Sequence, residues 1–268
     1  MGSSTPAAPP WTVGERAAQA LRFEMGLGHG PIDVYDVASR RGVSVVFRDL
    51  GSDDGRYVFH NGRALMIVSA VCPEATRQRF TAAHELGHHE LHRFSGDSET
   101  PTYLVDHDTF AKGERRETEA NAFAATLLLP TEALRAEFPG RPRVELEDVV
   151  TLMRRYRVSL EVVVNRINNA SIISSARRQA LLDEGRGRVH ELRGEEEQPR
   201  KDQVVPAGLE DSLRELYLAG LVPPERLSEA LALSIKQIVA RYGHPQPPQA
   251  DVDDLIAELE ANSESAQS

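Results

Sequence analysis

The chain has 268 residues, 40% of them hydrophobic and 27% charged, a composition that suits a globular protein of one or two domains with a proper core. Its single cysteine, Cys72, excludes a disulfide framework and a cysteine-rich zinc module, so a bound metal must rely on histidines and carboxylates. The net charge of -10 argues against a generic nucleic-acid binder, and no apolar run approaches the roughly 18 residues of a membrane span.

The N-terminus has neither a basic start nor an apolar segment, so it does not read as a secretory signal, and a cytoplasmic protein with no membrane partner is expected. Residues 1–14 read as a disordered tail that opens on Ser, Ala and Pro. The stretch GERAAQALRFEM has helical periodicity and is ended by LGHGP. A second short helix follows in PIDVYDVASRRG, with Gly42 at its end. The β-branched VSVVFRDL predicts a strand, and RYVFHNGRALMIVSA predicts a hairpin turning at Asn61-Gly62. The ALMIVSA arm is read either as an edge strand open to an extended peptide or as an ordinary core strand.

A helix is expected from Pro73 or Glu74 through RQRFTAAHELGHHELHRF, then a loop over 95–113, then a strong helix in ERRETEANAFAATLLL stopped by Pro130. From Thr131 the chain is helical again, with a short break at Val158-Ser159. Residues 181–203 are charged and poor in apolar side chains and are read as a linker. Residues 204–268 are read as a small helical module with an acidic tail.

Four of the nine histidines fall within 84–92, in HELGHHELH. On a helix, His84 and His88 stand one turn apart on one face, and their imidazoles can converge on a single ion. Glu85, rotated by one residue, is placed to take a proton from water at such an ion rather than to bind it. His92 lies about 12 Å along the axis from His84 at the standard rise, too far to share an ion. His89 and His92 are therefore read as packing or hydrogen-bonding residues. Zinc is the metal expected from this donor set.

A third ligand must come from elsewhere, because Leu91 occupies the position where a metzincin needs glycine. The helix ERRETEANAFAATLLL offers Glu114, Glu117 and Glu119. Glu117 shares a face with the small residues Ala120 and Ala124 and with Asn121, which can hold a ligand imidazole by its second nitrogen. Glu117 is preferred on that ground, with Glu119 the alternative.

The blocks RQRFTAAHELGHHELH and ETEANAFAATLLLP together resemble the ImmA/IrrE family of bacterial zinc metallopeptidases. PIDVYDVASRRGVSVVF and the DGRYVFHNGRALMIV hairpin extend the resemblance to roughly residues 15–175. The resemblance implies an α+β fold: a zincin-like core of small sheet and active-site helices over 15–180, followed by a helical C-terminal region. It implies His84, His88 and Glu117 as zinc ligands, Glu85 as catalytic general base, and the Glu117-to-Asn121 spacing as part of the second block. It further implies cleavage of a protein substrate, a helix-turn-helix repressor controlling mobile-element or stress-response genes. A different class of function competes with this one: a DNA-binding or protein-binding regulator with a metal site and little peptidase activity. Residues 141–180 hold eight arginines against four acids, and 204–243 have a helix-turn-helix form, so these are the candidate DNA contacts.

Overall fold

Alternation of apolar side chains along residues 43–47 predicts a strand with one face inward, and β1 (Val43–Arg48) buries Val43, Val45 and Phe47 while its other face is less covered. The structure is a computed structural model that describes residues 8–60, 63–93, 102–103, 110–140, 143–188, 198–202, 204, 206, 209–218, 220, 222–231 and 233–245. The expected hairpin is present as β2 (Gly55–His60) and β3 (Arg63–Ser69), paired antiparallel from Gly55↔Val68 to His60↔Arg63. Its Asn61-Gly62 turn lies outside the described residues, as does most of the loop expected over 95–113. Within that loop a two-residue strand, β4 (Thr102–Tyr103), pairs with Val58 and Phe59 of β2.

The four-stranded sheet has the order β1-β3-β2-β4, with β1 parallel to β3. β3 is therefore central, and its two edges are already hydrogen-bonded. Of the two readings of ALMIVSA, the core strand is the one found. On the other side of β2, β4 pairs with it at Val58 and Phe59 among the described residues.

Helices lie against the sheet. α1 (Pro10–Glu24) starts earlier than expected, with Pro10 at its first position, where a missing N–H costs nothing. The tail expected over 1–14 thus ends in helix; residues 1–7 are outside the described set. α2 (Val34–Arg40) is capped by Asp33, whose carboxylate accepts from the Tyr35 amide at 2.9 Å, and is followed by Gly42 at a φ of 78°. α3 (Ala75–His92) packs on β2 and β3 with one face and on α4 (Phe110–Leu128) with another.

Small residues allow these helices to approach closely. A methyl group on Gly87 of α3 would sit 3.1 Å from the Ala120 Cα, and one on Gly14 of α1 would sit 2.1 Å from the Glu119 carbonyl oxygen. α4 is held between two glycine-lined crossings, and this holds its glutamates at the level of the α3 histidines.

α5 (Thr131–Glu137), α6 (Leu146–Tyr156) and α7 (Leu160–Asn169) complete the helical part, with the break at Val158-Ser159 as expected and Ser159 capping α7. α8 (Ser175–Arg186) runs into the region expected to be a linker, because Leu181 and Leu182 find places in the core despite the charged residues around them. The far end of that region also docks. The Arg200 amide donates to Gln78 Oε1 at 2.7 Å, the Gln78 side chain donates back to the Arg200 carbonyl at 2.9 Å, and Val204 bridges to Val45 of β1.

The chain forms two units, Met1–Val204 and Val205–Ser268. The second contains α9 (Leu209–Leu218), α10 (Pro224–Leu231) and α11 (Ile235–Tyr242) around Tyr217, Leu227, Leu231 and Ile238. The acidic tail is outside the described residues. Among the described residues, no helix is long and apolar enough to cross a membrane.

Candidate metal centre

One turn of α3 and one turn of α4 build the site. His84 and His88 project from α3 with their Nε2 atoms 3.0 Å apart. Glu117 reaches across from α4, with Oε2 3.0 Å from His84 Nε2 and Oε1 3.2 Å from His88 Nε2. Among the described residues, these three form the one group of potential ligands whose donor atoms converge. An ion with tetrahedral bonds of about 2.0 Å separates its ligand atoms by about 3.3 Å, so the observed triangle fits a single zinc-sized ion with one position left for water.

The electrostatics suit a cation. Hydrogen bonds from His84 and His88 hold the Glu117 carboxyl well below the usual carboxylate range, against the opposing effect of burial. Burial alone would lower the pKa of His84, but the carboxylates of Glu117 and Glu85 raise it. Two imidazoles thus share one carboxylate. A divalent ion can replace the proton that this arrangement attracts.

Each imidazole is gripped from behind. His84 Nδ1 lies 3.0 Å from Asn121 Oδ1, the contact expected from the spacing of Glu117 and Asn121 on α4. His88 Nδ1 lies 3.0 Å from His92 Nδ1, and His92 Nε2 lies 3.0 Å from Glu119 Oε2. Burial, the largest influence, holds the His92 pKa below its ordinary value. Glu119, the alternative third ligand, therefore points away from the triangle toward His92 and Arg115, whose Nε donates to it at 2.8 Å. Reading from sequence alone placed His92 among hydrogen-bonding residues but did not connect it to Glu119. The i, i+4 pairs His88–His92 and Arg115–Glu119 were the available signal.

His89 faces the sheet instead. Its Nδ1 lies 2.8 Å from the Tyr57 hydroxyl and its Nε2 lies 2.7 Å from an Arg93 guanidinium nitrogen. A guanidinium only donates, so Nε2 must accept and the ring proton must sit on Nδ1. Burial and the charges of Arg93 and Arg41 push the His89 pKa down to about 4.

Glu85 is 7% exposed and lies against the start of β2. A methyl group on Gly55 would sit 2.8 Å from Glu85 Oε1 and 2.5 Å from Thr81 Cγ2. The missing side chain at Gly55 is the space in which the Glu85 carboxylate lies.

Of the arginines in the basic stretch 141–180, Arg166, Arg177 and Arg178 make internal contacts, while Arg143, Arg154, Arg155 and Arg157 are exposed. Arg166 is 2% exposed and donates to the Leu129 carbonyl at 3.0 Å and to Glu15 at 2.5 Å. Arg177 donates to the Val144 carbonyl and Glu145, and Arg178 to Asn165. These three hold helices together rather than project as a cationic face.

Residues 38–168 match the family model Peptidase M78, described as the IrrE N-terminal-like domain. The chain is similar to the radiation response metalloprotease IrrE of Deinococcus deserti, 35% identical over 138 residues, covering 48% of this chain and 45% of that one. It is also similar to the metallopeptidase ImmA of Bacillus subtilis, 26% identical over 111 residues, covering 41% of this chain and 62% of that one. The matched regions thus span about half the length of these relatives. Among solved structures, a Mycobacterium tuberculosis transcriptional regulator is 23% identical, with a TM-score of 0.41 over 60% of this chain and 52% of that one. That likeness is too slight to carry an argument.

Proposed function

We propose, for a chain that belongs through residues 38–168 to the ImmA/IrrE family of metallopeptidases, a zinc-dependent endopeptidase activity centred on His84, His88, Glu117 and Glu85. The observation that carries this reading is the triangle of two imidazole nitrogens and a carboxylate, with sides of 3.0–3.2 Å. A zinc ion held there supplies Lewis acidity and a water that ionises near neutral pH. His84, His88 and Glu117 would be its ligands, and the remaining steps fall to the chain's own residues.

A peptide extended along Gly55–Tyr57 of β2, where no strand among the described residues pairs on the β4 side, would gain main-chain hydrogen bonds and bring a carbonyl toward the metal triangle. Glu85 would accept a proton from the attacking water as its oxygen bonds to the carbonyl carbon. It would then return that proton to the amide nitrogen as the C–N bond breaks. The substrate class follows from the family resemblance: a helix-turn-helix repressor cut in the cytoplasm to release mobile-element or stress-response genes. The DNA-binding alternative is not favoured, since three arginines of 141–180 (Arg166, Arg177 and Arg178) serve internal contacts and the chain carries a charge of -10.

The test offers the protein purified helix-turn-helix repressors from its own genome as substrates. Zinc-loaded protein is expected to cleave at least one of them, while Glu85→Gln retains one zinc per chain and loses activity by about 10²- to 10⁴-fold. Cleavage at the wild-type rate by Glu85→Gln would overturn the mechanism.

A further inference from the structure

His88 turns its Nε2 toward Glu117, so its Nδ1 faces the interior, 3.0 Å from His92 Nδ1. From there a line of polar contacts continues: His92 Nε2 to Glu119 Oε2 at 3.0 Å, then Glu119 Oε1 to Arg115 Nε at 2.8 Å. His88, His92 and Glu119 are 4%, 3% and 7% exposed, so water competes little for these bonds. Helical spacing produces the line. His88 and His92 are one turn apart on α3, Arg115 and Glu119 one turn apart on α4, and the close α3–α4 crossing joins them.

With a metal on His88 Nε2, the bonding pattern has one self-consistent solution. A neutral imidazole that coordinates through Nε2 carries its hydrogen on Nδ1. His88 Nδ1–H then donates to the lone pair of His92 Nδ1. His92 accordingly carries its own hydrogen on Nε2 and donates it to Glu119. The carboxylate is an acceptor only, and Arg115 completes its shell. All donors point the same way and end on a negative charge, which strengthens His88 as a ligand. His84 is held differently, by the neutral amide of Asn121.

We propose that His92 and Glu119 are positioning residues of the metal centre, a histidine–carboxylate relay that fixes the tautomer and orientation of His88. This rests on the reading of His84, His88 and Glu117 as metal ligands, and extends it to two residues that do not touch the ion.

The test is competition for zinc against a chromophoric chelator, together with the visible absorption bands of the cobalt(II)-substituted protein. His92→Phe keeps ring volume and removes the acceptor. It is expected to bind zinc at unchanged stoichiometry but about 10- to 100-fold more weakly, with shifted cobalt bands. His92→Asn places a carbonyl oxygen near the position of Nδ1 and is expected to recover most of the affinity. Glu119→Gln removes the charge and leaves one acceptor oxygen for the two donors, His92 and Arg115, and a loss of about three- to tenfold is expected. Wild-type zinc affinity and cobalt bands in folded His92→Phe overturn the proposal, as does a loss in His92→Asn equal to that in His92→Phe. Should His92→Phe not fold, Glu119→Gln decides, and unchanged affinity and bands there overturn it. Absence of tight zinc binding in the wild-type protein would instead overturn the metal reading itself, and the relay with it.

Discussion

At the scale of single residues, the four clustered histidines divide into three roles according to where each one's second nitrogen points. His84 and His88 face Glu117, His92 stands behind His88, and His89 binds Tyr57 and Arg93. The division predicts different responses to mutation. Glu117→Ala is expected to abolish stoichiometric zinc, measured by metal analysis after dialysis, whereas Glu119→Ala retains one zinc per chain with weaker affinity. Full zinc content in Glu117→Ala together with its loss in Glu119→Ala would reverse the assignment. His89 predicts a pH dependence. Its folded pKa of about 4 lies below the ordinary 6.5, so between those values the unfolded chain binds more protons here than the folded one. Stability from this group is therefore full above about pH 6.5 and is lost as pH falls toward 4, by on the order of 3 kcal/mol at most. Thermal melts from pH 7 to pH 4 should show a shallower decline for His89→Gln than for the wild-type protein. An identical slope would remove His89 as the cause.

At the scale of elements, two glycines set where the chemistry sits. Gly14 lies so close to α4 that a methyl group would meet the Glu119 carbonyl oxygen at 2.1 Å, a backbone atom that cannot rotate away. Gly14→Ala is expected to cost about 1–3 kcal/mol in urea denaturation and to weaken zinc binding as well, because α4 carries Glu117. Gly55→Ala is expected to behave differently. Its methyl group would meet the Glu85 carboxylate and Thr81, leaving the three ligands untouched. Cleavage should fall while zinc content stays at wild-type level, and loss of both together would contradict the placement of Glu85 against β2. Much at this scale was legible from sequence. HELGHHELH and ETEANAFAA read as helices because their apolar residues recur at helical spacing, and both helices are present. β4 was not foreseen, since two residues carry no periodicity. The end of α8, from residue 181, reads as linker from sequence because charged residues follow the two leucines that anchor it.

At the scale of the whole molecule, Met1–Val204 and Val205–Ser268 are separate units, each with its own apolar cluster. All candidate site residues belong to the first unit, so a fragment of residues 1–204 is expected to fold and to bind zinc as the full chain does. Cutting instead at residue 180 would remove Leu181, Leu182 and the docked segment at Arg200 and Val204, and a lower melting temperature is expected for that fragment. The sequence by itself narrowed the candidate donors to His84, His88 and either Glu117 or Glu119. Residues four apart on one helix must share a face, and a glutamate and an asparagine at that spacing on a second helix must share another. What it left open was which faces meet, because nothing local records how two helices cross. The glycine-lined crossings decided that Glu117 turns toward His84 and His88 while Glu119 turns toward His92. Only the pairing of β3 on both sides showed that ALMIVSA is a core strand. Such contacts depend on the packing of segments distant in the chain, and no periodicity within a segment encodes them.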